Sequence, residues 1–360
     1  MNLTVTKPLI QRNPRADQLQ FLRFLAFFCV FIEHAEIWLF FPFPSGNCSD
    51  TAVAFFFMLS GFVIGYSSYG KEIRFSLKQY GNSIWKKICR IYPLYFFTTI
   101  VFVFGSQVPL HLAAGPINNN TLPLFKNLLM IQAWFPKDPL VFNGLGWYVS
   151  VLMFLNLFSL PAVTLFHKLS KHPKRFYIFT ALMCSIVFGI TVFCYATKHL
   201  DTGYWHYIFP PARLGEFLGG IVLGYWVSII QPWIKLGKLE KWLFTILEAG
   251  ALILWFCAMN VFGSPWRVYI VNWLIPNTVL LTVFTLGRGW ISRIFCWRPL
   301  VRLGDISFEC YLIHNIFVKN LTWNCPQFAE TQQGKAFAFL FCFCMSILTS
   351  LYINKASAKK

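Results

Sequence analysis

His34 lies near the middle of a mostly apolar run, residues 19–41, which also contains Glu33 and Arg23. A charged side chain in hydrocarbon costs about 2.5–3.5 kcal/mol even on the mildest scale, so a retained ionisable cluster of this kind indicates a functional site. Eleven residues make close to three helical turns, which places Arg23 and His34 on one helix face roughly 16 Å apart along the axis. We therefore expect both side chains to line one cavity, with Arg23 near its cytoplasmic mouth. The alternative is a packing histidine that is hydrogen-bonded to Glu33.

A basic pair, Lys87 and Arg90, stands at i and i+3 and shares one face of a predicted helix at the cytoplasmic start of the third apolar run. Arg offers a planar fork and Lys a point charge to a phosphate group, so the pair is suited to a phosphate-bearing cosubstrate. Cations at a membrane edge also extend toward lipid phosphates, and that interpretation stays open beside the first.

Three further polar features lie in predicted spans. Ser60 stands beside Gly61 in the second run, where small residues allow a helix or a ligand to approach closely. Arg213 and Glu216 begin the sixth run at i and i+3, as a structural ion pair or as part of the cavity. His314, just past the middle of the ninth run, is a packing residue or a second functional histidine.

The composition shows which elements must carry these residues. Over 360 positions, 57% of residues are hydrophobic and only 12% are charged, which excludes a soluble protein with one core. Runs long enough to cross a bilayer occur at ten places. They are residues 19–41, 51–69, 89–106, 145–167, 176–197, 210–230, 243–262, 268–288, 303–322 and 335–354. The sequence predicts an all-α, polytopic membrane protein with about ten transmembrane helices.

The basic residues predict the orientation, because positive loops stay on the cytoplasmic side. With the N-terminus inside, most of the 31 lysines and arginines fall in cytoplasmic segments. The expected organisation is a cytoplasmic tail at 1–18, a membrane domain at 19–354 and a cytoplasmic tail at 355–360, with no appended soluble domain. Basic loops beside anionic lipid account for the net charge of +18, so no nucleic-acid partner is expected.

The eleven cysteines include no Cys-x-x-Cys pair and no spacing typical of metal ligands, so we expect no metal. Most of them fall inside spans and are expected to pack as small apolar side chains. Cys48 and Cys325 are predicted in short loops on the non-cytoplasmic side, where either a disulfide or two free thiols are open outcomes.

Six short motifs occur in order along the chain. They are Phe21-Leu-Arg-Phe-Leu-Ala26 followed by His34, Phe56-Phe-Met-Leu-Ser-Gly-Phe62, Arg90-Ile-Tyr-Pro93, Gly146-Trp-Tyr-Val149, Arg213-Leu-Gly-Glu-Phe-Leu-Gly-Gly220 and Leu303-Gly-Asp-Ile-Ser-Phe-Glu-Cys-Tyr-Leu-Ile-His314. In this order the chain resembles the acyltransferase 3 family of integral-membrane O-acyltransferases.

The resemblance implies a domain that moves an acyl group, usually acetyl from cytoplasmic acetyl-CoA, to a hydroxyl of a cell-envelope saccharide such as an O-antigen, capsule or exopolysaccharide. It also implies a multi-pass protein of the inner (cytoplasmic) membrane whose partners are the lipid bilayer, acyl-CoA and the saccharide acceptor; a homo-oligomer stays open. By resemblance, His34 is the catalytic base or acyl carrier, and acyl-CoA is held by Arg23, Lys87 and Arg90. The residues expected to line the cavity or bind substrate are Glu33, Ser60, Trp147, Arg213 and Glu216.

The chain departs from the family pattern at two positions. Lys87 stands where an arginine is usual, so charge is kept while one bidentate fork is lost. Gln20 stands where many members carry Asp three residues before the arginine. An ionic role for that Asp does not carry over to this chain.

Two other classes of function stay open at this stage. A transporter or flippase for a lipid-linked saccharide or acyl group would also need intramembrane charge, but it usually shows related halves, and residues 180–360 contain no repeat of the His34 or Ser60 signatures. The third class is a catalytically inactive scaffold. It is distinguished by whether replacement of His34 has any effect.

Overall fold

The computed structural model describes residues 15–39, 48–105, 117–137, 139–170, 172–197, 203–234, 238–260 and 265–357. These residues form helices and connecting turns, with no strand in the described ranges. The α-helices are α1 (Gln18–Leu39), α2 (Cys48–Ser68), α3 (Leu77–Gly105), α4 (Ile117–Leu128), α5 (Gly146–Leu157), α6 (Ser159–Ser170), α7 (Pro173–Ala196), α8 (Leu214–Ile230), α9 (Lys238–Ala258), α10 (Pro265–Val268), α11 (Ile275–Leu286), α12 (Trp290–Phe295), α13 (Arg298–Asp305), α14 (Ser307–Asn324) and α15 (Gln332–Ser357).

Shorter helical segments join several of these elements. The 3-10 segments are Gln132–Trp134, Pro210–Arg213, Gln231–Trp233 and Pro326–Ala329, and the π-helical segments are Gly203–Ile208 and Tyr269–Leu274. Gly287 ends α11 in the left-handed region at φ 60°, a conformation that glycine adopts without the clash of a Cβ atom.

Eight helices in the described residues are long and apolar enough to cross a membrane. The predicted all-α membrane fold is confirmed, whereas the count of ten spans and the cytoplasmic N-terminus stay predictions. The predicted fifth span corresponds to α7, in which the apolar stretch is Tyr177–Ile190. The predicted ninth span is divided between α13 and α14, because the backbone turns at Ile306.

Two local predictions were wrong. The third helix begins at Leu77, about three turns before the predicted start, so Lys87 and Arg90 lie within a 29-residue helix and not at its opening. Cys48 begins α2 and does not lie in a loop. Its thiol donates a hydrogen bond to the Cys29 carbonyl at 3.1 Å, and both Cys48 and Cys325 are free thiols, so no disulfide joins them.

Helix α2 occupies the interior. Of its most apolar segment, 78% is buried, the largest share among the eight spans. It packs lengthwise on α8 through glycines on both helices. A Cβ atom added at Gly61 or Gly65 would collide with backbone carbonyls of α8, and one added at Gly220 or Gly224 would collide with backbone of α2. These spacings of four residues let the two backbones touch, as small residues do in membrane helix pairs.

Helix α1 packs against the opposite side of this pair. It contacts α2, α13 and α14. Gly304 of α13 lies against the backbone carbonyl of Gln20, where any side chain would collide. The beginning of α1 is therefore held against α13, and Glu33 and His34 in its second half contact α2 and α14.

We predict that Gly220→Ala destabilises the protein whereas Gly219→Ala does not. The new methyl group at position 220 meets the Met58 carbonyl oxygen, and overpacking of this kind typically costs about 1–3 kcal/mol. Position 219 opens into free space, where alanine is about 1 kcal/mol better than glycine in a helix. The measurement is the thermal unfolding midpoint of each detergent-purified variant. Equal midpoints for the two variants would contradict a tight α2–α8 contact.

Candidate active site

A cavity of about 400 Å³ lies between α1, α2, α14 and the start of α5. His34 is in its wall, and the first turn of α2 contributes Ser49 and Asp50. The polar and aromatic side chains that line it are Glu33, His34, Ser49, Asp50, Trp147, Tyr207, Tyr311, Asn315 and Lys319. The cavity therefore combines carboxylates, one imidazole, one ammonium group and aromatic rings, the mixture expected of a site that orients a polar ligand.

The imidazole of His34 is held by the backbone of its own helix. Its Nδ1 lies 2.8 Å from the Val30 carbonyl oxygen, one turn earlier. A carbonyl oxygen only accepts hydrogen bonds, so this contact places the ring proton on Nδ1. The Nε2 atom then carries a lone pair, and the side chain stands half-buried at the cavity wall.

A second histidine, His314 of α14, lies against the first. The two rings are 5.1 Å apart at an angle of 67°, and His314 Nε2 is 3.5 Å from His34 Nδ1. His314 is fully buried, and its own Nδ1 lies 3.1 Å from the Cys310 carbonyl. The two histidines are 280 positions apart in the sequence, and the contact between α1 and α14 brings them together.

Glu33 anchors the beginning of α2. Its carboxylate accepts hydrogen bonds from the Ser49 backbone N–H at 2.8 Å and from the Ser49 hydroxyl at 2.5 Å. A carboxylate at a helix N-terminus satisfies N–H groups that have no partner within the helix and interacts favourably with the helix dipole. Glu33 thus lines the cavity but is not the hydrogen-bond partner of His34.

Asp50 and a set of aromatic rings form another part of the cavity wall. The Asp50 carboxylate is hydrogen-bonded to the Tyr207 hydroxyl. Trp147 lies in the wall as predicted from its motif, and its ring is 4.8 Å from that of Tyr207. Tyr311, which belongs to α14, is a further aromatic residue of the wall.

Arg213 and Glu216 form the ion pair that their spacing suggested, at 2.7 Å with both side chains fully buried. Arg213 Nε also donates to the Tyr207 carbonyl at 2.8 Å, and the guanidinium lies over the rings of Trp273 and Tyr207 at 4.3 and 4.6 Å. Neither member of the pair lines the cavity. The structure places them behind the wall, where they support the segment that carries Tyr207.

Arg23 lies at a second polar cluster, about three turns along α1 from His34. Its Nη1 donates to the Gln20 amide oxygen at 3.1 Å, so a neutral acceptor occupies the position of the usual Asp. Arg90 and Tyr148 lie within electrostatic range of the guanidinium. The Tyr148 hydroxyl is hydrogen-bonded to Ser60, which itself donates to the Phe56 carbonyl.

The Tyr148 ring connects this cluster to the cavity. It lies 5.1 Å from the ring of Tyr311, which is part of the cavity wall. Ser60 itself is outside the lining. Arg23 and Ser60 thus lie at the Tyr148 end of this pair of rings, and the His314–His34 pair lies at the Tyr311 end.

The basic pair does not act as one unit. Lys87 Nζ donates to Asn156 Oδ1 at 2.5 Å and to Ser159 Oγ at 2.9 Å, which ties α3 to the junction of α5 and α6. Arg90, by contrast, is exposed on α3. Lys87 is therefore engaged within the helix bundle, whereas Arg90 is exposed.

The sequence prediction missed several members of the cavity wall. Asp50 stands just before the predicted second span, and a carboxylate at the end of an apolar run was the signal that could have found it. Lys319 is a cation in an apolar run and carried the same signal. Tyr207, Tyr311 and Asn315 had none, because aromatic and amide side chains are common in membrane helices.

Within the described ranges, no group of three or more His, Cys, Asp or Glu side chains is arranged to hold a metal ion.

This architecture defines a multi-pass helical membrane protein with a histidine-centred polar cavity. The model of the acyltransferase 3 family, described as an acyltransferase domain, matches residues 17–355. The chain belongs to this family, which confirms the resemblance carried by the six motifs. No solved structure gives a significant match.

Relatives that match the chain come from a nematode and a bacterium. The protein named nose resistant to fluoxetine protein 6, from Caenorhabditis elegans, is 24% identical over 77% of this chain and 39% of its own length. Acyltransferase MdmB from Streptomyces mycarofaciens is 24% identical over 74% of this chain and 68% of its own length. Regulator of hypoxia-inducible factor 1 from Caenorhabditis elegans is 21% identical over 89% of this chain and 74% of its own length. The chain thus spans well under half of the first of these relatives.

We predict that Lys87→Met lowers the thermal unfolding midpoint, whereas Arg90→Gln leaves it near wild type. Loss of the Lys87 ammonium leaves the buried Asn156 and Ser159 side chains without their donor, and an unsatisfied buried polar group costs about 1–3 kcal/mol. Arg90 is exposed and has no such role. Unfolding curves of the two purified variants measure the difference. An undisturbed midpoint for Lys87→Met would return Lys87 to the set of cosubstrate ligands.

Proposed function

We propose that this protein is a membrane O-acyltransferase that moves an acyl group, in the first instance acetyl, from cytoplasmic acyl-CoA to a hydroxyl of a cell-envelope saccharide. The observation that carries the proposal is the state of His34: a backbone carbonyl engages its Nδ1, which leaves the lone pair on Nε2, and the side chain lines a cavity of about 400 Å³. Membership of the acyltransferase 3 family supports the reaction class.

The transfer needs one proton acceptor and no redox step. The acceptor oxygen attacks the thioester carbonyl carbon while His34 Nε2 takes the hydroxyl proton, in the manner of a general base. The tetrahedral intermediate collapses, the C–S bond breaks, and the proton passes from the imidazolium to the leaving thiolate. A route through a transient acyl-imidazole would use the same Nε2 lone pair, so both routes depend on the same tautomer.

The cavity wall supports a saccharide as the acceptor. Glu33 and Asp50 present carboxylate oxygens, which accept hydrogen bonds from hydroxyl groups. Trp147, Tyr207 and Tyr311 offer ring faces beside them, and a ring face covers the apolar face of a sugar. O-antigen, capsule and exopolysaccharide units, including those of lipopolysaccharide, have this combination of hydroxyls and apolar ring faces.

Acyl-CoA is proposed to enter from the end that carries Arg23 and Arg90. Arg90 is exposed on α3, and the planar fork of a guanidinium group suits a phosphate. With the N-terminus inside, this end faces the cytoplasm, where acyl-CoA is found. The protein would then work in the inner (cytoplasmic) membrane, with its acceptor site in the outer half of the bilayer.

We predict that His34→Ala abolishes acyl transfer and keeps expression and membrane insertion, whereas Glu36→Gln on the same helix has a mild effect. The alanine variant loses the proton acceptor, and a general base contributes about 10²–10⁴-fold. Glu36 does not line the cavity. The measurement is transfer of radioactive acetyl from acetyl-CoA into extracted lipid-linked and polymeric glycans, with membranes expressing each variant.

The outcomes of this assay separate the classes of function. Label in wild-type and Glu36→Gln samples and none with His34→Ala is the expected result. Equal label from wild type and His34→Ala would remove His34 from the chemistry. A wild-type protein that transports a saccharide or acetyl group but transfers no label would support a transporter.

We predict that Arg90→Gln raises the apparent KM for acetyl-CoA with a smaller change in kcat, and that Arg23→Leu is more severe. A charge-assisted hydrogen bond is worth about 1.5–3 kcal/mol, which corresponds to roughly a tenfold or larger rise in KM. Initial rates of label transfer over a range of acetyl-CoA concentrations give both constants. A wild-type KM for both variants would place the CoA phosphates elsewhere.

A further inference from the structure

We infer that His314 is a positioning residue that fixes and polarises the catalytic imidazole of His34. The inference rests on the proposed function, because it assigns His314 a part in the reaction of that site. Its observable basis is the contact of 3.5 Å between His314 Nε2 and His34 Nδ1, together with the two backbone carbonyls that hold the rings.

The tautomer of His314 follows from its own hydrogen bond. Nδ1 lies 3.1 Å from the Cys310 carbonyl oxygen, which has no proton to give. Nδ1 of the neutral ring must therefore be the protonated nitrogen, and Nε2 carries a lone pair. His314 is in this way prepared as a hydrogen-bond acceptor at the point nearest to His34.

His34 shows the complementary state. Its Nδ1 proton faces two acceptors, the Val30 carbonyl at 2.8 Å and the His314 nitrogen at 3.5 Å. The shorter contact, to the Val30 carbonyl, carries most of the interaction. The longer contact, to His314, restricts rotation of the His34 ring. A single proton shared between two acceptors keeps the same tautomer at all times, so Nε2 is always the atom available to the cavity.

The neighbouring carboxylate does not fill this role. Both oxygens of Glu33 accept hydrogen bonds from Ser49 at the start of α2. Glu33 therefore holds α2, and the orienting group for His34 comes from α14. In a serine hydrolase, a third group likewise holds the catalytic histidine in one tautomer, although the residues there are different.

His314 does not touch the cavity, which separates positioning from substrate binding. It is fully buried, and the rings of Phe27 and Phe31 stand at its edges at 5.6 and 5.9 Å. It is not part of the cavity lining. Changes at this position therefore act on the substrate through His34.

The contribution of His314 is expected to grow during the reaction. When His34 Nε2 takes the proton from the acceptor hydroxyl, the ring becomes a cation, and its Nδ1–H becomes a stronger donor. A lone pair already aimed at that N–H shares the positive charge without reorganisation, which is how preorganised dipoles lower a barrier. Loss of His314 should therefore lower kcat, because its hydrogen bond to His34 is stronger in the transition state than in the ground state.

The test compares His314→Gln, which keeps an acceptor at the end of the side chain, with His314→Phe, which keeps an aromatic ring and loses the acceptor. Label transfer from radioactive acetyl-CoA is measured with membranes of each variant, and so are the thermal unfolding midpoints of the purified proteins. Cys342→Ala, a buried truncation on α15 outside the cavity, is the control for loss of packing alone.

The expected result is a kcat at least tenfold lower for His314→Phe with little change in KM for acetyl-CoA, and partial recovery with His314→Gln. Wild-type kcat for His314→Phe would overturn the inference. The inference would also be overturned if His314→Gln and His314→Phe lowered kcat only as far as their lower unfolding midpoints account for. Cys342→Ala shows how much kcat falls when packing alone is lost.

Failure of the inference and failure of the proposed function give different results. If wild-type membranes transfer no label, the proposed function fails before His314 is considered. If wild type transfers label, His34→Ala does not and His314→Phe behaves as wild type, the function stands and the positioning role is lost.

Discussion

The contact between α2 and α8 through glycines is the constraint on which the rest of the structure depends. Gly61 and Gly65 on one helix and Gly220 and Gly224 on the other allow backbone to lie directly on backbone. In a bilayer, where burial of apolar surface between helices gives little driving force, such close packing is the main source of association. Once α2 is fixed against α8, its first turn can deliver Ser49 and Asp50 to the cavity, and Glu33 of α1 ties that turn to the histidine helix.

The polar groups within the membrane domain fall into two kinds. Some are neutralised by local partners that tie helices together, as Lys87 is by Asn156 and Ser159, and as Arg213 is by Glu216. Glu248 behaves in the same way, since it accepts hydrogen bonds from the backbone N–H groups and the hydroxyl at the beginning of α12. The groups of the second kind, around His34, surround open volume, which is why chemistry is assigned there.

The sequence predicted those features that depend on local pattern. The apolar runs indicated an all-α membrane fold, and the ionisable residue in the first run indicated where to look for chemistry. Trp147 was found through its motif, and the structure places it in the cavity wall. The i and i+3 spacing of Arg213 and Glu216 left an ion pair and a place in the cavity as alternatives, and the structure shows the ion pair.

Features that depend on contacts between distant segments could not be read from the chain. The hydrogen bonds of Lys87 reach residues about seventy positions away, and the helix face it shares with Arg90 gave no indication of these partners. His314 meets His34 across 280 positions, and neither its residue type nor its neighbours in sequence indicated that contact. The start of α3 at Leu77 was missed because its first turns are polar and carry no hydropathy signal.

The central claim is that the cavity at His34 receives the acyl group while the coenzyme is held at Arg23 and Arg90. The most direct measurement is a structure of the protein in lipid nanodiscs with a thioether analogue of acetyl-CoA, which binds but cannot transfer its acetyl group. The account predicts that the analogue's phosphates contact the two arginines and that its acetyl end lies within hydrogen-bond reach of His34 Nε2. Density for the analogue that leaves the His34 cavity empty, with its phosphates on another surface, would contradict the account.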